Sequence, residues 1–172
     1  MQIILRKGRE SDIKSVEKLY ADARKRLASA GIDQWQGEYP QGSDFLNDIK
    51  EGRAVICEYN GNIVASAAAY IGKEKTYSDI YFGKWKTDFE IYGIVHRAAV
   101  SQNFLRMGAA EAIFEYTEKL CRENGTGSIR CDTHRDNLPM NSLLVKNGFL
   151  KCGTIFVSDG TERTAYEKII EK

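Results

Sequence analysis

Two histidines, His96 and His134, are the side chains of this chain best suited to exchange protons near neutrality. His96 lies within an apolar run that begins at Phe89, and His134 closes a second run that begins at Ser128. Each is therefore a candidate general base that would remove a proton from an attacking nucleophile. A histidine on a half-buried strand is also often a hydrogen-bonded structural residue, and the sequence leaves both interpretations open.

Glu90 is the third candidate catalytic residue. The pattern predicts one long strand from Phe89 to Val100, in which side chains alternate between the two faces. Glu90, Tyr92 and His96 would then share one face, and Arg97 would lie on the opposite one. Tyr92 is in addition a candidate substrate-binding residue.

The segment from Leu105 to Ala110 indicates a different chemistry. Small residues at Gly108, Ala109 and Ala110 open a predicted helix, and no Ser, Thr, Asp or Asn immediately precedes them as a cap. The first backbone amides of a helix lack intrahelical acceptors, and the positive end of the helix dipole favours an anion. Arg106 adds a positive charge beside a backbone that a pyrophosphate could approach closely. The segment is thus predicted to bind phosphate.

Other familiar sites are not supported. Neither of the nucleotide-binding patterns Gly-x-x-x-x-Gly-Lys-Ser/Thr and Gly-x-Gly-x-x-Gly occurs in the chain. The four cysteines are dispersed without a Cys-x-x-Cys pair, and there are only two histidines, so neither a disulfide framework nor a structural zinc site is indicated. We expect buried, reduced thiols and no metal.

The net charge of the chain does not favour a large, highly charged partner such as a nucleic acid. The chain has 172 residues, with 25 Lys and Arg against 24 Asp and Glu, and a net charge of +1. Nucleic-acid binding normally relies on a basic field that this balance does not provide. The start of the chain becomes charged at Arg6, and no later run approaches the ~18 apolar residues of a membrane span. We expect one soluble, cytoplasmic domain over residues 1–172 with neither nucleic acid nor membrane as a partner.

The candidate residues are distributed over alternating strands and helices, which apolar spacing and turn signals define. Predicted strands begin near Ile3 and cover 54–59, 62–70, 89–100, 128–134, 150–157 and 163–170. Predicted helices cover about 13–27 after the Ser11-Asp12 capping signal, and begin at Ser43, Gly108 and Asn137. In the third helix, the residues expected to face the core are Ala109, Ile113, Tyr116 and Leu120. A helical crossover between strands 89–100 and 128–134 makes those two strands parallel neighbours.

The order of these motifs resembles the GNAT (Gcn5-related N-acetyltransferase) superfamily. Its acyl-CoA signature is a strand, then Gln/Arg-x-x-Gly-x-Gly/Ala, and later Asn-x-x-Ala-x-x-x-Tyr-x-x-x-Gly-Phe. Gly108 and Ala110 match the two small positions, Asn137 matches the later Asn, and Gly148-Phe149 matches the ending. The resemblance spans essentially the whole chain.

The resemblance implies a mixed α/β fold, with a central mixed sheet of about six or seven strands flanked by about four helices in a single GNAT-like domain. It further implies acetyl-CoA as co-substrate, direct transfer of acetyl to a primary amine in a ternary complex, and compatibility with a homodimer through the final strands. The cofactor-binding residues that it implies are Ala98, Val100, Leu105, Arg106, Met107, Gly108, Ala109, Ala110 and Asn137.

Two positions depart from the family pattern. Leu105 stands where Gln or Arg is preferred, which backbone binding of phosphate should tolerate. Leu144 stands where the family has the Tyr that serves as general acid. Because a thiol with a pKa of roughly 8.5 is a tolerable leaving group, we predict weak dependence on any single acid. A non-catalytic acyl-CoA sensor on the same fold is the alternative function.

Aromatic residues in the predicted loops and on the long strand are candidates for the acceptor site. They are Trp35, Tyr39, Tyr81, Trp85 and Tyr92. Such residues suit packing around an amine or an amphipathic chain, and they would equally suit sealing the loops onto the core. The acceptor amine, on a small molecule or a peptide, is not specified by any pattern in the sequence.

Overall fold

The computed structural model describes residues 3–171. Seven strands are present: β1 (Ile4–Lys7), β2 (Ala54–Tyr59), β3 (Asn62–Gly72), β4 (Tyr92–Val100), β5 (Ser128–Thr133), β6 (Leu150–Phe156) and β7 (Glu162–Ile169). Four α-helices accompany them: α1 (Ile13–Ser29), α2 (Gly42–Lys50), α3 (Ala109–Glu123) and α4 (Leu138–Lys146). The strands form one mixed sheet in the order β1-β2-β3-β4-β5-β7-β6. The predicted fold class is confirmed.

The β2–β3 hairpin forms as its turn sequence predicts. Asn60 and Gly61 have φ values of 48° and 75°, so both adopt the left-handed conformation that a two-residue turn requires. The strands pair antiparallel from Ala54 opposite Ala68 to Tyr59 opposite Asn62. β1 adds antiparallel to the other side of β2.

The helical crossover also forms as predicted. β4 and β5 pair in parallel, with Gly93 opposite Ile129 and Ile94 opposite Arg130, and α3 connects them along the chain. β7 then pairs antiparallel with β5 and with β6.

The chain divides into two compact units. One runs through Tyr70 and from Val95 to Tyr116, and the other runs from Ile71 to Ile94 and from Thr117 onward. A buried cluster fills the first unit: Val16, Leu19, Tyr20, Ala23, Phe45, Ala54, Ile56 and Ala99. The helical spacing of the α1 residues in this cluster confirms the predicted amphipathic helix.

The start of α1 differs from the prediction. Ser11 and Asp12 were expected to cap the helix, but Asp12 makes no capping hydrogen bond to it. Its carboxylate instead accepts from both terminal nitrogens of Arg6, at 2.7 and 2.9 Å, and from the backbone amide of Arg9 at 2.8 Å. The guanidinium competes successfully because a bidentate charged pair is stronger than a neutral cap. It also holds the pKa of Asp12 below its usual value.

The core face of α3 is shifted from the predicted one. Ala109 and Ile113 are buried as expected, but Tyr116 and Leu120 are only half-buried. Thr117 and Cys121 are buried in their place. The sheet permits this close approach at a glycine, because a Cβ on Gly93 would lie 2.6 Å from the Cys121 sulfur and 3.1 Å from Thr117 Cγ2.

β4 begins at Tyr92, three residues later than predicted. Phe89 and Glu90 lie outside the strand, and Glu90 is exposed, so the predicted common face of Glu90, Tyr92 and His96 is wrong. The Phe89 ring lies over Gly127, where an added Cβ would approach it to 2.6 Å, and Thr126 donates its hydroxyl hydrogen to the Ile91 carbonyl. These contacts hold the segment against the turn before β5 rather than in the sheet.

The alternation along β4 is also interrupted. Arg97 has a φ of 53°, a left-handed conformation that is uncommon for a residue with a Cβ. Gly93 faces Cys121 of α3, whereas Arg97, which has the same parity, points its guanidinium to Asp48 of α2. A left-handed residue within a strand re-aims the side chains that follow, as a β-bulge does.

Candidate functional site

The segment between β4 and α3 has an unusual backbone. β4 ends at Val100, a 3-10 helix covers Gln102–Phe104, and α3 begins at Ala109. Arg106 and Gly108 have φ values of 61° and 85°. A Cβ on Gly108 would meet nothing within 4 Å, so glycine is needed there for its conformational freedom and not for space.

The backbone amides of residues 105–110 are available to an external hydrogen-bond acceptor. Within residues 3–171, none of them donates a hydrogen bond, and the first helical bond runs from the Ala112 amide to the Gly108 carbonyl at 2.9 Å. Six consecutive amides therefore have no acceptor inside the described chain. Four of them precede the 15-residue helix α3, and two belong to its first turn. A row of free amides at a helix N-terminus suits an anion such as a phosphate.

The side chains of this segment leave the backbone accessible. Leu105, Arg106 and Met107 are exposed, and Ala110 is half-buried. Ala109 is buried, and its carbonyl accepts a hydrogen bond from the Cys57 thiol at a sulfur–oxygen distance of 3.6 Å. Burial raises the pKa of Cys57 to about 12, so this thiol stays protonated and donating. Together these residues form a backbone cradle, which we define as residues 105–110.

Ala98 and Val100, the two predicted cofactor contacts on β4, are both half-buried. The Val100 carbonyl accepts a hydrogen bond from Arg26 Nη2 of α1 at 2.9 Å. The next amide, that of Ser101, donates to the Val64 carbonyl of β3 at 2.8 Å. The end of β4 is thus fixed by α1 and β3 immediately before the cradle begins.

Arg97 is the main charged side chain of β4, and sequence reasoning did not assign it a role. Its Nε and Nη2 donate to the two carboxylate oxygens of Asp48 at 3.0 and 2.5 Å, and its Nη1 donates to the hydroxyl of Tyr39 at 2.9 Å. Burial raises the pKa of Asp48, and pairing with Arg97 opposes that rise. Burial lowers the pKa of Arg97, but Tyr39 and Asp48 together raise it above its ordinary value, so the guanidinium remains charged.

The two candidate bases lie on different elements. His96 is half-buried on β4. His134 directly follows β5, its side chain is 15% exposed, and its Nδ1 accepts a hydrogen bond from the Asp136 amide at 3.2 Å. Its backbone carbonyl accepts from Asn141 Nδ2 at 3.1 Å. His134 therefore has a well-defined orientation at the carboxyl end of β5.

Asn137 and Leu144 belong to α4. The Asn137 side chain caps the helix by accepting from the Met140 amide at 3.3 Å, which is a structural role in addition to any contact with a ligand. Leu144, which stands where the resemblance leads us to expect a Tyr, is fully buried.

The aromatic residues proposed for an acceptor site divide into exposed and buried groups. Tyr39 and Tyr81 are 44% and 48% exposed. Trp35 is half-buried and packs edge-on against Tyr20, with ring centroids 6.2 Å apart. The sequence left open whether these rings seal the core or face a ligand, and Trp35 contributes to the core.

Trp85 and Tyr92 enclose a buried cation that the sequence did not reveal. The Arg130 guanidinium lies 4.4 Å from the Trp85 ring centroid and 4.1 Å from that of Tyr92. Its Nε donates to Glu167 at 3.1 Å, and its Nη2 donates to the Thr87 carbonyl at 2.8 Å. We refer to these five residues as the Arg130 cluster. The only signal in the sequence was an Arg and a Glu within otherwise apolar strands.

Glu167, the anion of the Arg130 cluster, is completely buried. Its carboxylate also accepts from the Lys86 amide at 2.5 Å, from the Thr87 amide at 3.2 Å and from the Thr87 hydroxyl at 2.5 Å. These bonds fasten the segment that precedes β4 to β7. Trp85 and Tyr92 are consequently structural residues of this cluster, whatever contact they make with a substrate.

Asp132 is a further carboxylate at the end of β5. It accepts a hydrogen bond from the hydroxyl of Tyr77 at 2.7 Å. Tyr77 is buried against Tyr92 and Trp85, and burial raises its pKa well above the ordinary value, so it acts as a donor.

Nowhere in residues 3–171 do three or more His, Cys, Asp or Glu side chains converge on a point that could hold a metal ion. Among the same residues, none of the helices combines the length and apolar character needed to cross a bilayer.

Comparison with known proteins identifies the family. The profile of the acetyltransferase (GNAT) family matches residues 16–149, which include β4, the cradle, α3, β5 and α4. The chain belongs to the GNAT family. No curated protein matches this GNAT chain by sequence.

Solved structures agree with this assignment. A GNAT-family acetyltransferase from Streptococcus agalactiae 2603 is 35% identical, with a TM-score of 0.88 over 99% of this chain and 96% of its own. A putative acetyltransferase from Staphylococcus aureus Mu50 is 25% identical, with a TM-score of 0.72 over 98% of this chain and 99% of its own. N-acetylglutamate synthase from Neisseria gonorrhoeae, solved with coenzyme A and N-acetylglutamate, shares the fold at 14% identity and a TM-score of 0.70, over 100% of this chain and 36% of its own. The GNAT fold of this chain supports acyl-CoA-dependent acetyl transfer in general.

Proposed function

We propose that this protein is an N-acetyltransferase that transfers acetyl from acetyl-CoA to a primary amine, directly and within a ternary complex. The observation that carries the proposal is the cradle, whose six amides have no acceptor within residues 3–171. In a GNAT protein, an anion site of this kind immediately after β4 suits the pyrophosphate of an acyl-CoA. A cytoplasmic location, a homodimer and a single acetyltransferase domain over residues 1–172 remain predictions.

The cradle offers the hydrogen-bond donors and the positive charge that the phosphates of the proposed co-substrate need. The amides of Gly108, Ala109 and Ala110 would donate to phosphate oxygens, and exposed Arg106 would add a charge-assisted contact. Leu105 and Met107 contribute backbone amides, so the absence of Gln or Arg at 105 is tolerated. When bound, acetyl-CoA would supply an acetyl thioester, and Ala98, Val100 and Asn137 are the further residues proposed to hold it.

The chain must also manage protons. The carbon–sulfur bond of the thioester breaks as the carbon–nitrogen bond of the amide forms, so the amine releases protons and the departing thiolate accepts one. We propose His96 as the first candidate for the base and His134 as the second. Glu90 is the weakest of the three, because it is exposed and lies outside β4. Replacing each by Ala and recording the pH profile of acetyl transfer distinguishes them, and an unchanged profile in all three variants would remove them as bases.

Leu144 favours a second candidate function. Its fully buried aliphatic side chain supplies no proton to the leaving thiolate. An acyl-CoA sensor that binds the co-substrate without turnover would need no acid at this position. In the enzyme, we predict that water or another Tyr protonates the thiolate and that no single Tyr to Phe substitution abolishes turnover while co-substrate binding persists.

The acceptor is proposed to be an amine on a small molecule or a peptide, with neither nucleic acid nor membrane as partner. Exposed Tyr39 and Tyr81 are the best-placed of the predicted acceptor residues, and Trp35, Trp85 and Tyr92 would act through packing. The face of an exposed aromatic ring attracts an ammonium group.

One pair of measurements tests the proposal. Isothermal titration with acetyl-CoA tests the cradle, and thiol release in the presence of a panel of primary amines tests turnover. Binding together with amine-dependent thiol release supports the enzyme. Binding without release from any amine supports the sensor, and the absence of acetyl-CoA binding would refute both.

A further inference from the structure

The left-handed residue of β4 is an arginine, which makes its conformation costly. Arg97 has a φ of 53°, and residues with a Cβ resist this region because the Cβ crowds the following carbonyl. Glycine is the residue that normally occupies such positions. A surrounding structure must therefore hold Arg97 in place.

The holding contacts come from the side chain of Arg97 itself. Its Nε and Nη2 are bound by Asp48 of α2 at 3.0 and 2.5 Å, and its Nη1 is bound by the Tyr39 hydroxyl at 2.9 Å. The side chains of Arg97 and Asp48 are only 16% and 4% exposed. Because this bidentate pair is shielded from solvent and geometrically specific, it can oppose relaxation of the backbone.

The conformation of Arg97 affects residues 98–100, which follow it in β4. Ala99 packs into the buried cluster of the first unit, while Ala98 and Val100 remain half-buried. If Arg97 were extended, the alternation would place each of these three residues on the opposite face of β4. The conformation at position 97 therefore decides which way the backbone and side chains of residues 98–100 are aimed.

We propose that Asp48 and Tyr39 are positioning residues that hold Arg97 left-handed and thereby set residues 98–100 for the acyl-bearing arm of acetyl-CoA. The inference rests on the proposed function, which assigns Ala98 and Val100 to that arm. It adds a role for two residues of α2 and the preceding loop that touch neither the cradle nor the thioester. The cradle, which binds the phosphate end, is independent of this pair.

The decisive comparison is Arg97→Gly against Arg97→Ala. Both substitutions remove the guanidinium, but only glycine adopts a positive φ without the Cβ penalty. We expect the Kd for acetyl-CoA to rise about tenfold in Arg97→Ala and to stay within about threefold of the wild type in Arg97→Gly. A pair that serves stability alone would leave the acetyl-CoA Kd of both variants within about threefold of the wild type.

A fragment of the co-substrate separates the two ends of the site. Adenosine 3′,5′-bisphosphate carries phosphates but lacks the acyl-bearing arm, so its Kd should be the same in the wild type and both variants. Arg6 provides the matched control: it lies on β1, is paired with Asp12 and is not left-handed. Arg6→Gly and Arg6→Ala should leave the acetyl-CoA Kd unchanged, and Arg6→Gly should be the less stable of the two.

Asp48→Asn tests the same idea if Arg97→Ala does not fold. The substitution should weaken acetyl-CoA binding in the wild-type background and have no further effect in Arg97→Gly, where nothing needs to be held. Two results would overturn the inference. One is an equal loss of acetyl-CoA affinity on Asp48→Asn in both backgrounds, and the other is a higher acetyl-CoA Kd for Arg97→Gly than for Arg97→Ala. A wild type that binds no acetyl-CoA would instead refute the proposed function itself.

Discussion

The cradle and the Arg130 cluster differ in whether their polar groups have hydrogen-bond partners within the described chain. In the Arg130 cluster, a buried carboxylate accepts from Arg130 and from three donors of Lys86 and Thr87, and two aromatic rings cover the cation. In the cradle, six consecutive amides have no acceptor within residues 3–171. The first arrangement uses its hydrogen bonds to hold the chain together, whereas the second keeps donors available for a ligand.

The difference indicates where each region is sensitive. Burying a charge is tolerated only when its partners are complete, so loss of one member of the Arg130 cluster should affect folding. Most side chains of the cradle are exposed or half-buried, so changes there should affect binding more than stability. The following four predictions test this contrast from the largest expected effect to the smallest.

Glu167→Ala should destabilise the fold by about 3–5 kcal/mol, because it leaves the Arg130 cation buried and unpaired. Urea unfolding at neutral pH measures the change. Glu162→Ala is the matched control, since Glu162 forms an exposed pair with Arg135 and should cost at most about 1 kcal/mol. Similar losses for the two variants would contradict the role assigned to the Arg130 cluster.

Gly108→Ala should cost about 1–2 kcal/mol of stability through the Cβ alone, and it should also weaken acetyl-CoA binding. Gly31→Ala is matched to it, because Gly31 also has a positive φ, of 69°, and an added Cβ there meets nothing within 4 Å. Both variants should unfold at lower urea concentration, but only Gly108→Ala should raise the Kd. If Gly31→Ala raises the Kd equally, the cradle has no special role.

Cys57 beneath the cradle should make stability fall at alkaline pH. Burial raises the pKa of this thiol from 9.0 to about 12, so above pH 9 the unfolded chain releases a proton that the folded chain retains. Stability is therefore complete below pH 9 and declines as the pH rises toward 12. Between pH 8 and pH 10 the wild type should lose about 1 kcal/mol more than Cys57→Ala. Parallel urea midpoints for both chains across this range would disprove the assignment.

Arg106→Gln should have the smallest effect, a rise of about threefold in the acetyl-CoA Kd with no change in stability, because an exposed charge contributes little. The Kd of the variant should also depend less steeply on salt concentration, since one screened interaction has been removed. Lys119→Gln, on the exposed side of α3, is the control. An Arg106 variant with the salt dependence of the wild type would show that the cradle acts through its backbone alone.

Local features of the fold were predictable because they depend on neighbours in the chain. The Asn60-Gly61 turn requires only two left-handed residues, and the buried residues of α1 follow from helical spacing. The cradle was predictable for the same reason, because small residues at a helix start imply free amides wherever the helix lies. The likeness to the GNAT family, carried by these same local motifs, implied the central mixed sheet and its flanking helices.

Features that depend on distant partners were missed or misplaced. Glu90 was grouped with His96 by alternation, but Phe89 and Ile91 are held by Gly127 and Thr126, and β4 starts later than expected. In α3, the core face shifted because Gly93 lets Thr117 and Cys121 approach closely. No spacing rule contains these contacts, since each joins residues that are far apart in sequence.

By itself, the sequence determined the class of the fold, the hairpin, the parallel crossover and the position of the free amides of the cradle, because periodicity, turn chemistry and helix ends are local properties. Only the tertiary structure decided which charges were buried and what they bind. Arg97 and Arg130 look alike in the sequence, each within an apolar strand. Their environments differ because Asp48 and Tyr39 hold one in a left-handed backbone, whereas Glu167 and two aromatic rings enclose the other.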